Sequence, residues 1–469
     1  MVGITSYGVY IPRYRLSRDV MGKAWGQRFA GGERAVANFD EDSFTMAFEA
    51  TSNCIEGIDP DSVGAVYFAS VSAPYLEKQA SSLIATACNL KRELIATDFA
   101  GSTRASTAAL KAAFDGARAE AGKQFLVCAA DVRPAQPGSD LEQFFGDAAA
   151  AVMVGSNDPV ANLLGSFSIS DEFVDTWRKT DDEFVRRGDN AFIQSYGYQR
   201  LVKQCVAALL SQQGATVGDI SKLILNAPDP RSAQGVAKSL EFSDAQLQDP
   251  LMSSVGDAGN ASALLLLAHA LDQAKPGDKL VLCNYAVGNA DSFLFEVTDA
   301  IERRRASRGV DYYLARRREL ANCEKLLKFR GEVPEEGIRP FASGAQAWNE
   351  LKQNLKLLGV KCNRCGRFSY PRRRVCPVCG AKDDFQDKRL STTGKVYTFT
   401  RDYLFPSPDS PTGMIVADMD GGGRFYGQST DFNVADIEIG IPVELVLRRY
   451  REGDDFVNYF WKLRPVMNV

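Results

Sequence analysis

The sequence predicts an α/β chain: a duplicated α/β unit over roughly residues 1–300, then a cysteine-held ribbon and a small β-barrel. Three observations carry this. Residues 101–128 and 256–283 align without a gap at an offset of 155. Two Cys-x-x-Cys pairs stand between 361 and 383. Beyond them, short apolar runs alternate with Gly- and Asp-rich turns, the pattern of short barrel strands.

The elements follow in chain order. GSTRASTAALKAAFDGARAEAGKQFLVC and GDAGNASALLLLAHALDQAKPGDKLVLC each read as a small-residue turn, an Ala/Leu-rich helix, a Gly-containing turn and an apolar strand. Upstream, DSVGAVYFAS (from Asp61) matches DISKLILNA (from Asp219) at nearly the same offset. Downstream, GDAAAAVMVG (146–155) and ADSFLFEVTD (290–299) add a further strand to each copy. The halves are set at 1–160 and 161–300, and strands alternating with helices favour sheets covered by helices. Residues 301–360 form a basic, helical linker that turns loop-like through EEGIRPFASGAQ. Its Arg run reads either as a solvated helix face joining two domains or as a cationic surface for the phosphates of a nucleotide-containing substrate such as coenzyme A.

In the ribbon, 361–383, the pairs Cys362/Cys365 and Cys376/Cys379 are separated by ten residues. Each knuckle presents two thiolates to one ion, and two knuckles complete a closed tetrahedral set, so one structural Zn²⁺ per chain is expected. Iron or an empty site is the alternative. Gly366 and Gly380 follow the knuckles, where a tight turn tolerates glycine best. Residues 384–469 supply the barrel, with GKVYTFTRDYLF, GMIVADMD, GRFYGQST, PVELVLRRY and DFVNYFWKLRPV as its strands.

Composition excludes more than it assigns. The 469 residues are 45% apolar and 24% charged, with a net charge of −4, so nothing points to nucleic acid or an anionic membrane. A ribbon followed by a barrel could track phosphates, but residues 361–469 hold 17 Lys/Arg against 14 Asp/Glu, mixed in sign. The single histidine, His269, excludes HExxH zinc sites and histidine dyads. Its repeat partner is Phe114, so His269 reads as a packing residue. Six cysteines outside the ribbon are scattered singly, the pattern of buried free thiols in a reducing cytoplasm. Neither a signal peptide nor a spanning helix is expected.

Several phrases resemble the thiolase superfamily, in its hydroxymethylglutaryl-CoA synthase-like branch: GITSYGVYIPRYRL, GERAVANFDEDSFTMAFEA, ADVRPAQPGSDLE, the Asp-Thr-Trp-Arg of 175–178 and GNASALLLLAHAL. The tail resembles the zinc-ribbon/OB domain that associates with thiolase-like enzymes acting on acyl-CoA. The resemblance implies a five-layer αβαβα core, an OB-type barrel, coenzyme A as part of the substrate, and a homodimer through the core. It also exposes departures. The family's nucleophilic cysteine falls in the stretch Asp98–Arg104, and no cysteine occurs from 89 to 127. Asn226 stands where the family has histidine, and Val71 where it has glutamate, while Asn260 is retained.

Ser102 or Thr103 is then either a substitute nucleophile or a helix cap. Ser102, Arg104 and Arg231 are candidate contacts to coenzyme A. Amide donors from Asn226 and Asn260, with backbone N–H groups near Gly101, can hold an oxyanion or enolate without a covalent nucleophile. That chemistry fits (retro-)aldol cleavage of a 3-hydroxyacyl-CoA. Tyr285 is the expected acid/base, against a packing role for it, and Tyr198 and Asp257 are weaker candidates. A synthase or C-acyltransferase with another nucleophile is the second reading. The third is a non-catalytic acyl-CoA-binding partner of a thiolase subunit encoded alongside it.

Overall fold

A computed structural model describes residues 1–333, 343–405, 407–453 and 456–466. Most of the expected loop EEGIRPFASGAQ, residues 335–342, lies outside the described residues. The chain forms two units: Met1–Ala37 with Asp42–Cys323, and Asn38–Glu41 with Glu324–Val469.

Nine strands build the sheet of the first unit: β1 (Gly3–Tyr10), β2 (Val63–Ala69), β3 (Ile95–Phe99), β4 (Gln124–Val132), β5 (Asp147–Gly155), β6 (Ala161–Ser170), β7 (Lys222–Leu225), β8 (Lys279–Ala286) and β9 (Asn289–Val297). Their order is β7-β8-β9-β6-β1-β5-β4-β2-β3. In the first half, β5 runs antiparallel to β1 and β4, while β2 pairs parallel with β4 and β3. The second half repeats the pattern: β9 is antiparallel to β6 and β8, and β7 is parallel to β8. Two residue pairs, Gly3–Asn162 and Ile4–Ala161, join the halves. No full counterpart of β3 follows β7; an isolated parallel bridge from Leu223 to Leu247 marks its place.

Four helices supply the layers: α1 (Ser43–Cys54), α2 (Ala105–Ala119), α3 (Arg200–Gln213) and α4 (Asn260–Gln273). Helix α1 covers β1, β4 and β5, and α3 covers β6, β8 and β9. Between them, α4 packs on β4 and β5 of one half, on β7 and β8 of the other, and on α2. The result is the expected αβαβα stack. The sequence of α4 explains its place: every residue from Asn260 to Leu271 is buried, and a helix apolar all round belongs in an interior. His269 is one of those residues, with Nε2 3.3 Å from Gln273 Nε2, in accord with a packing role.

The basic stretch after 300 differs from expectation. It breaks into short helices, Ile301–Arg304 and Val310–Ala315, and a strand, Arg318–Glu319, beside Tyr14–Ser17. Its cations meet partners inside the first unit. Arg303 and Arg304 pair with Asp158, and Arg317 with Glu33. Arg305 donates to the carbonyls of Leu271 and Ala274 at the C-terminus of α4, where the helix dipole favours a cation. Arg303 and Arg317 keep more than half of their side-chain surface exposed while paired, and residues 301–323 belong to the first unit rather than to a linker.

In the second unit, β10 (Leu358–Cys362) lies between β11 (Phe368–Ser369) and β12 (Phe385–Arg389), forming the ribbon. The barrel strands are β13 (Thr393–Asp402), β14 (Thr412–Met419), β15 (Arg424–Gln428), β16 (Pro442–Gly453) and β17 (Phe456–Pro465), in the order β15-β14-β13-β16-β17. A bridge from Ser429 to Leu463 brings the two ends of this sheet together, giving a nearly closed OB-type barrel. The segment Asn38–Glu41 is buried in this unit. Arg448, fully buried, pairs with Glu41 at 3.0 Å and Asp431 at 3.1 Å, and Lys462 pairs with Asp40 at 2.8 Å.

Candidate functional site

Of the positions singled out in the two repeats, Asn226, Arg104 and Asn260 are linked to the start of α2. Asn226 follows β7, its N–H bonded to Cys283 O at 3.2 Å, and its Nδ2 donates to Asn284 Oδ1 at 2.9 Å. Asn284 Nδ2 donates to Thr107 Oγ1 at 3.2 Å, and Thr107 Oγ1 donates to Asp291 Oδ2 at 2.7 Å. Asp291 also receives Ser168 Oγ at 2.7 Å and Arg104 Nη1 at 2.6 Å. One hydrogen-bonded chain therefore connects Asn226 to Arg104. Thr107, Asn284 and Asp291 are buried within it, whereas Asn226 and Arg104 are half-buried and can meet a ligand.

A second carboxylate shapes the same end of the sheet. Asp131, at the end of β4, is fully buried. Its Oδ1 accepts from Ser70 Oγ (2.8 Å), Val71 N–H (2.8 Å), Ser72 N–H (3.1 Å) and Ser72 Oγ (2.9 Å). Its Oδ2 accepts from the backbone and side-chain nitrogens of Asn260 at 2.8 and 3.1 Å. This ties the loop around Val71 to the start of α4. Asn260 Oδ1 takes Ser106 N–H at 3.1 Å, so with one of its two amide hydrogens given to Asp131 it braces two helix starts. Asp257 accepts from Arg133 at 3.2 Å, Gly259 N–H at 2.9 Å and Ser262 Oγ at 3.2 Å. Ser102 Oγ accepts from Arg104 N–H at 3.2 Å, bracing the turn before α2; the helix itself has Arg104 at its cap position and no side-chain cap. Arg231 is exposed on the helix Pro230–Ser239 and is not drawn into this network.

Tyr285 follows Asn284 on β8, and successive strand residues point to opposite faces. Asn284 faces α2; Tyr285 packs in the apolar cluster with Tyr198, Leu201 and Cys205 of the outer layer. Its hydroxyl accepts from Gly288 N–H at 3.4 Å. Burial, and then the neighbouring Asp175 carboxylate, push its pKa well above that of an ordinary tyrosine, so it is a neutral phenol. Asp175 is itself buried and accepts from the backbone N–H groups of Thr176 and Val287. Tyr198 meets the Tyr285 ring edge-on, centroids 5.7 Å apart. Its own hydroxyl is fully buried with no partner, which fits packing and not proton transfer.

The residues that reading by motif missed are Thr107, Asp131, Asp175, Asn284 and Asp291. A signal was present for two of them: Asn284 and Asp291 interrupt apolar strand runs, and a buried polar group in a strand needs partners.

In the second unit, the four ribbon sulfurs lie within 4.8 Å of one another. Cys362 and Cys379 Sγ are 3.6 Å apart, and Cys365 and Cys376 Sγ 3.5 Å. Zn–S bonds of about 2.3 Å in a tetrahedron put sulfurs about 3.8 Å apart, so the set fits one such ion. Gly366 and Gly380 donate to Cys362 O and Cys376 O, closing each knuckle with positive φ of 72° and 68°. Backbone N–H groups of Cys379 and Val378 aimed at Cys376 lower its thiol, while its hydrogen-bonded neighbour Cys365 is raised.

Comparison with known proteins matches this geometry. The family model described as "ChsH2, rubredoxin-like zinc ribbon domain" matches residues 350–384. Hydroxymethylglutaryl-CoA synthase of Thermococcus gammatolerans is 32% identical over 311 residues, covering 65% of this chain and 89% of that protein. The enzyme of the same name from Methanopyrus kandleri is 30% identical over 345 residues, 70% and 98% of the two chains. Among solved structures, PksG, an HMG-CoA synthase from Bacillus subtilis, superposes with a TM-score of 0.64 at 20% identity, covering 76% of this chain and 93% of that one. MvaS in complex with 3-hydroxy-3-methylglutaryl coenzyme A gives 0.63 at 19% identity, covering 72% and 94%. Two stacked half-sheets with a pair of repeat helices between them define a thiolase-like protein. Within that class, the chain belongs to the hydroxymethylglutaryl-CoA synthase family, and it carries a zinc ribbon and an OB-type barrel on the same polypeptide.

Proposed function

We propose that this chain makes or breaks a carbon–carbon bond beside the thioester carbonyl of an acyl-CoA without forming an acyl-enzyme, in the sense of (retro-)aldol cleavage of a 3-hydroxyacyl-CoA. The observation that carries this is the state of the thiols. Cys54, Cys88, Cys128, Cys205, Cys283 and Cys323 are all buried, and none stands in the turn Phe99–Arg104 before α2. Burial pushes Cys54 up to about 12 and raises Cys128 as well. Such thiols are poor nucleophiles. Cys205, lowered by its hydrogen bonds with Cys283 and Ser292, is buried with Tyr198 and Leu201 in the outer layer, away from the start of α2.

The half-buried Asn226 amide and Arg104 guanidinium, joined through one network, supply donors for a thioester oxygen that becomes an enolate oxygen. In cleavage, the substrate hydroxyl proton passes to Tyr285 as the phenol proton passes to Asp175; Tyr285 lies on the other face of β8 from Asn284, so the substrate must reach it past the end of that strand at Ala286. The Cα–Cβ bond then breaks, giving a carbonyl compound and the thioester enolate, which takes the proton back at Cα. In the reverse direction the neutral phenol protonates the new alkoxide. The family relationship favours one other reading, a synthase-type condensation through a different nucleophile.

The test is incubation of the purified full chain with 3-hydroxyacyl-CoA thioesters. A shorter acyl-CoA plus a carbonyl product is expected, with no mass increase of the protein after acetyl-CoA. A trapped acyl-enzyme would reject the non-covalent route in favour of the synthase. Activity appearing only with an added thiolase subunit would assign a partner role instead.

The Cys₄ set is proposed to hold one structural zinc. A second copy of the chain is proposed to pair along β3, one of the two edge strands of the nine-stranded sheet, whose Ile95 is 52% exposed. An unpaired edge with an exposed β-branched side chain invites another strand.

A further inference from the structure

Beside Tyr285, the first unit exposes a run of aromatic side chains that no described part of that unit covers. A Cβ placed on Gly197 would lie 2.4 Å from Tyr285 Oη and 2.8 Å from Phe173 Cε1, so the hydroxyl and the Phe173 ring are neighbours across that glycine. From Phe173 the run continues outward. The Phe192 ring stacks on Phe173 with centroids 5.1 Å apart and planes 12° apart, and Tyr196 follows at 5.2 Å from Phe192. Phe192 is 50% exposed and Tyr196 60%, with Val174 and Trp177 exposed in the same segment.

These side chains are held in place. Asp189 Oδ1 accepts Phe192 N–H at 2.8 Å, Gln194 donates to Asp229 at 2.9 Å, and Gly188 N–H donates to Asp175 O at 2.9 Å. Residues Ile193–Gln199 form a π-helical turn, a wide turn found frequently at functional sites, with Tyr196 outward and Tyr198 inward. A fixed, solvent-exposed aromatic patch is costly to keep in water unless something apolar covers it.

We propose that Phe173, Phe192 and Tyr196 bind the acyl group of the thioester, and that this group is large and apolar, of medium-chain or aryl type rather than acetyl-sized. The occupant follows from continuity: one end of the aromatic run abuts the hydroxyl assigned to proton transfer, and the other opens to solvent. A substrate whose Cβ oxygen meets Tyr285 lays its remaining carbon chain along these rings. The inference rests on the acyl-CoA reading above and adds the substrate class to it.

Binding of coenzyme A, acetyl-CoA, octanoyl-CoA and 3-phenylpropanoyl-CoA to the full chain, measured by calorimetry, tests it. The two larger thioesters are expected to bind about tenfold more tightly than acetyl-CoA, since each buried methylene adds to affinity. Phe192→Ala and Tyr196→Ala should each remove a large part of that preference while leaving acetyl-CoA affinity and the circular-dichroism spectrum unchanged. Phe192→Leu should restore it. Equal affinity for all the thioesters, unaffected by either variant, would overturn the inference and leave the acyl-CoA reading standing. No binding of any CoA compound would overturn both. If the variants instead turn a dimer into a monomer while the chain-length preference persists, the patch is an interface between copies and the inference fails.

Discussion

At the scale of single residues, the site is governed by close approaches and by buried groups that cannot change charge cheaply. Gly197 is the clearest case. Any Cβ there meets Tyr285 Oη and Phe173 at distances no real contact shows. Gly197→Ala should displace the phenol and cost about 1–3 kcal/mol of stability, read as a lower denaturation midpoint together with a loss of turnover. The buried Cys54 thiol makes a pH prediction. It ionises near 12 in the folded chain and near its ordinary 9 once exposed, so its contribution is intact below pH 9 and disappears as pH rises towards 12. The urea midpoint should therefore fall steadily above about pH 9, and Cys54→Ala should lessen that fall by one group's share, the buried Cys128 and tyrosines keeping theirs. Little of this was legible in the chain. Tyr285 was found as a residue, but its facing away from Asn284 depends on the pleat and register of β8, which a loop motif does not reveal.

At the scale of elements, the repeat and the cysteine spacing were legible, because both are local patterns. The offset between α2–β4 and α4–β8 reappears as two matched halves of one sheet, and the two knuckles converge as their spacing requires. What stayed hidden were partners far apart in sequence. Asp131 binds residues about 60 positions upstream and about 130 downstream, and nothing in ADVRP announces that. Arg303, Arg304 and Arg317 read as part of a free basic surface because Asp158 and Glu33, which pair with them, lie more than a hundred residues away. Two outcomes belong here. Metal analysis should return about one zinc per chain, and Cys376→Ser should abolish it and unfold the ribbon, since the ion is the main fastening of so small an element. Asp40→Ala leaves Lys462 buried without its carboxylate. It should destabilise the barrel by about 3–5 kcal/mol, visible as faster amide exchange in β16 and β17 than in β1–β9.

At the scale of the whole molecule, pooling charge over 361–469 concealed a sharp division. From Leu358 to Arg389 there are nine Lys/Arg against three Asp, two of which pair with Arg372 and Arg374, within a chain whose net charge is −4. The remainder of the polypeptide is therefore acidic, and the ribbon is a cationic module within it. The proposed pairing along β3 gives a further expectation: sedimentation should report a dimer, and Ile95→Lys at that edge should yield monomer without loss of helix content. The segment Asn38–Glu41 has a consequence in time. Its carboxylates neutralise Arg448 and Lys462, which a ribosome adds some four hundred residues later, on the order of tens of seconds at ordinary elongation rates. Until then Asp40 and Glu41 wait without their buried cations, and the barrel cannot complete its interior from its own stretch of chain. Synthesis and folding are thus locked in sequence, and a polypeptide released before Lys462 is left with an open account at its N-terminal end.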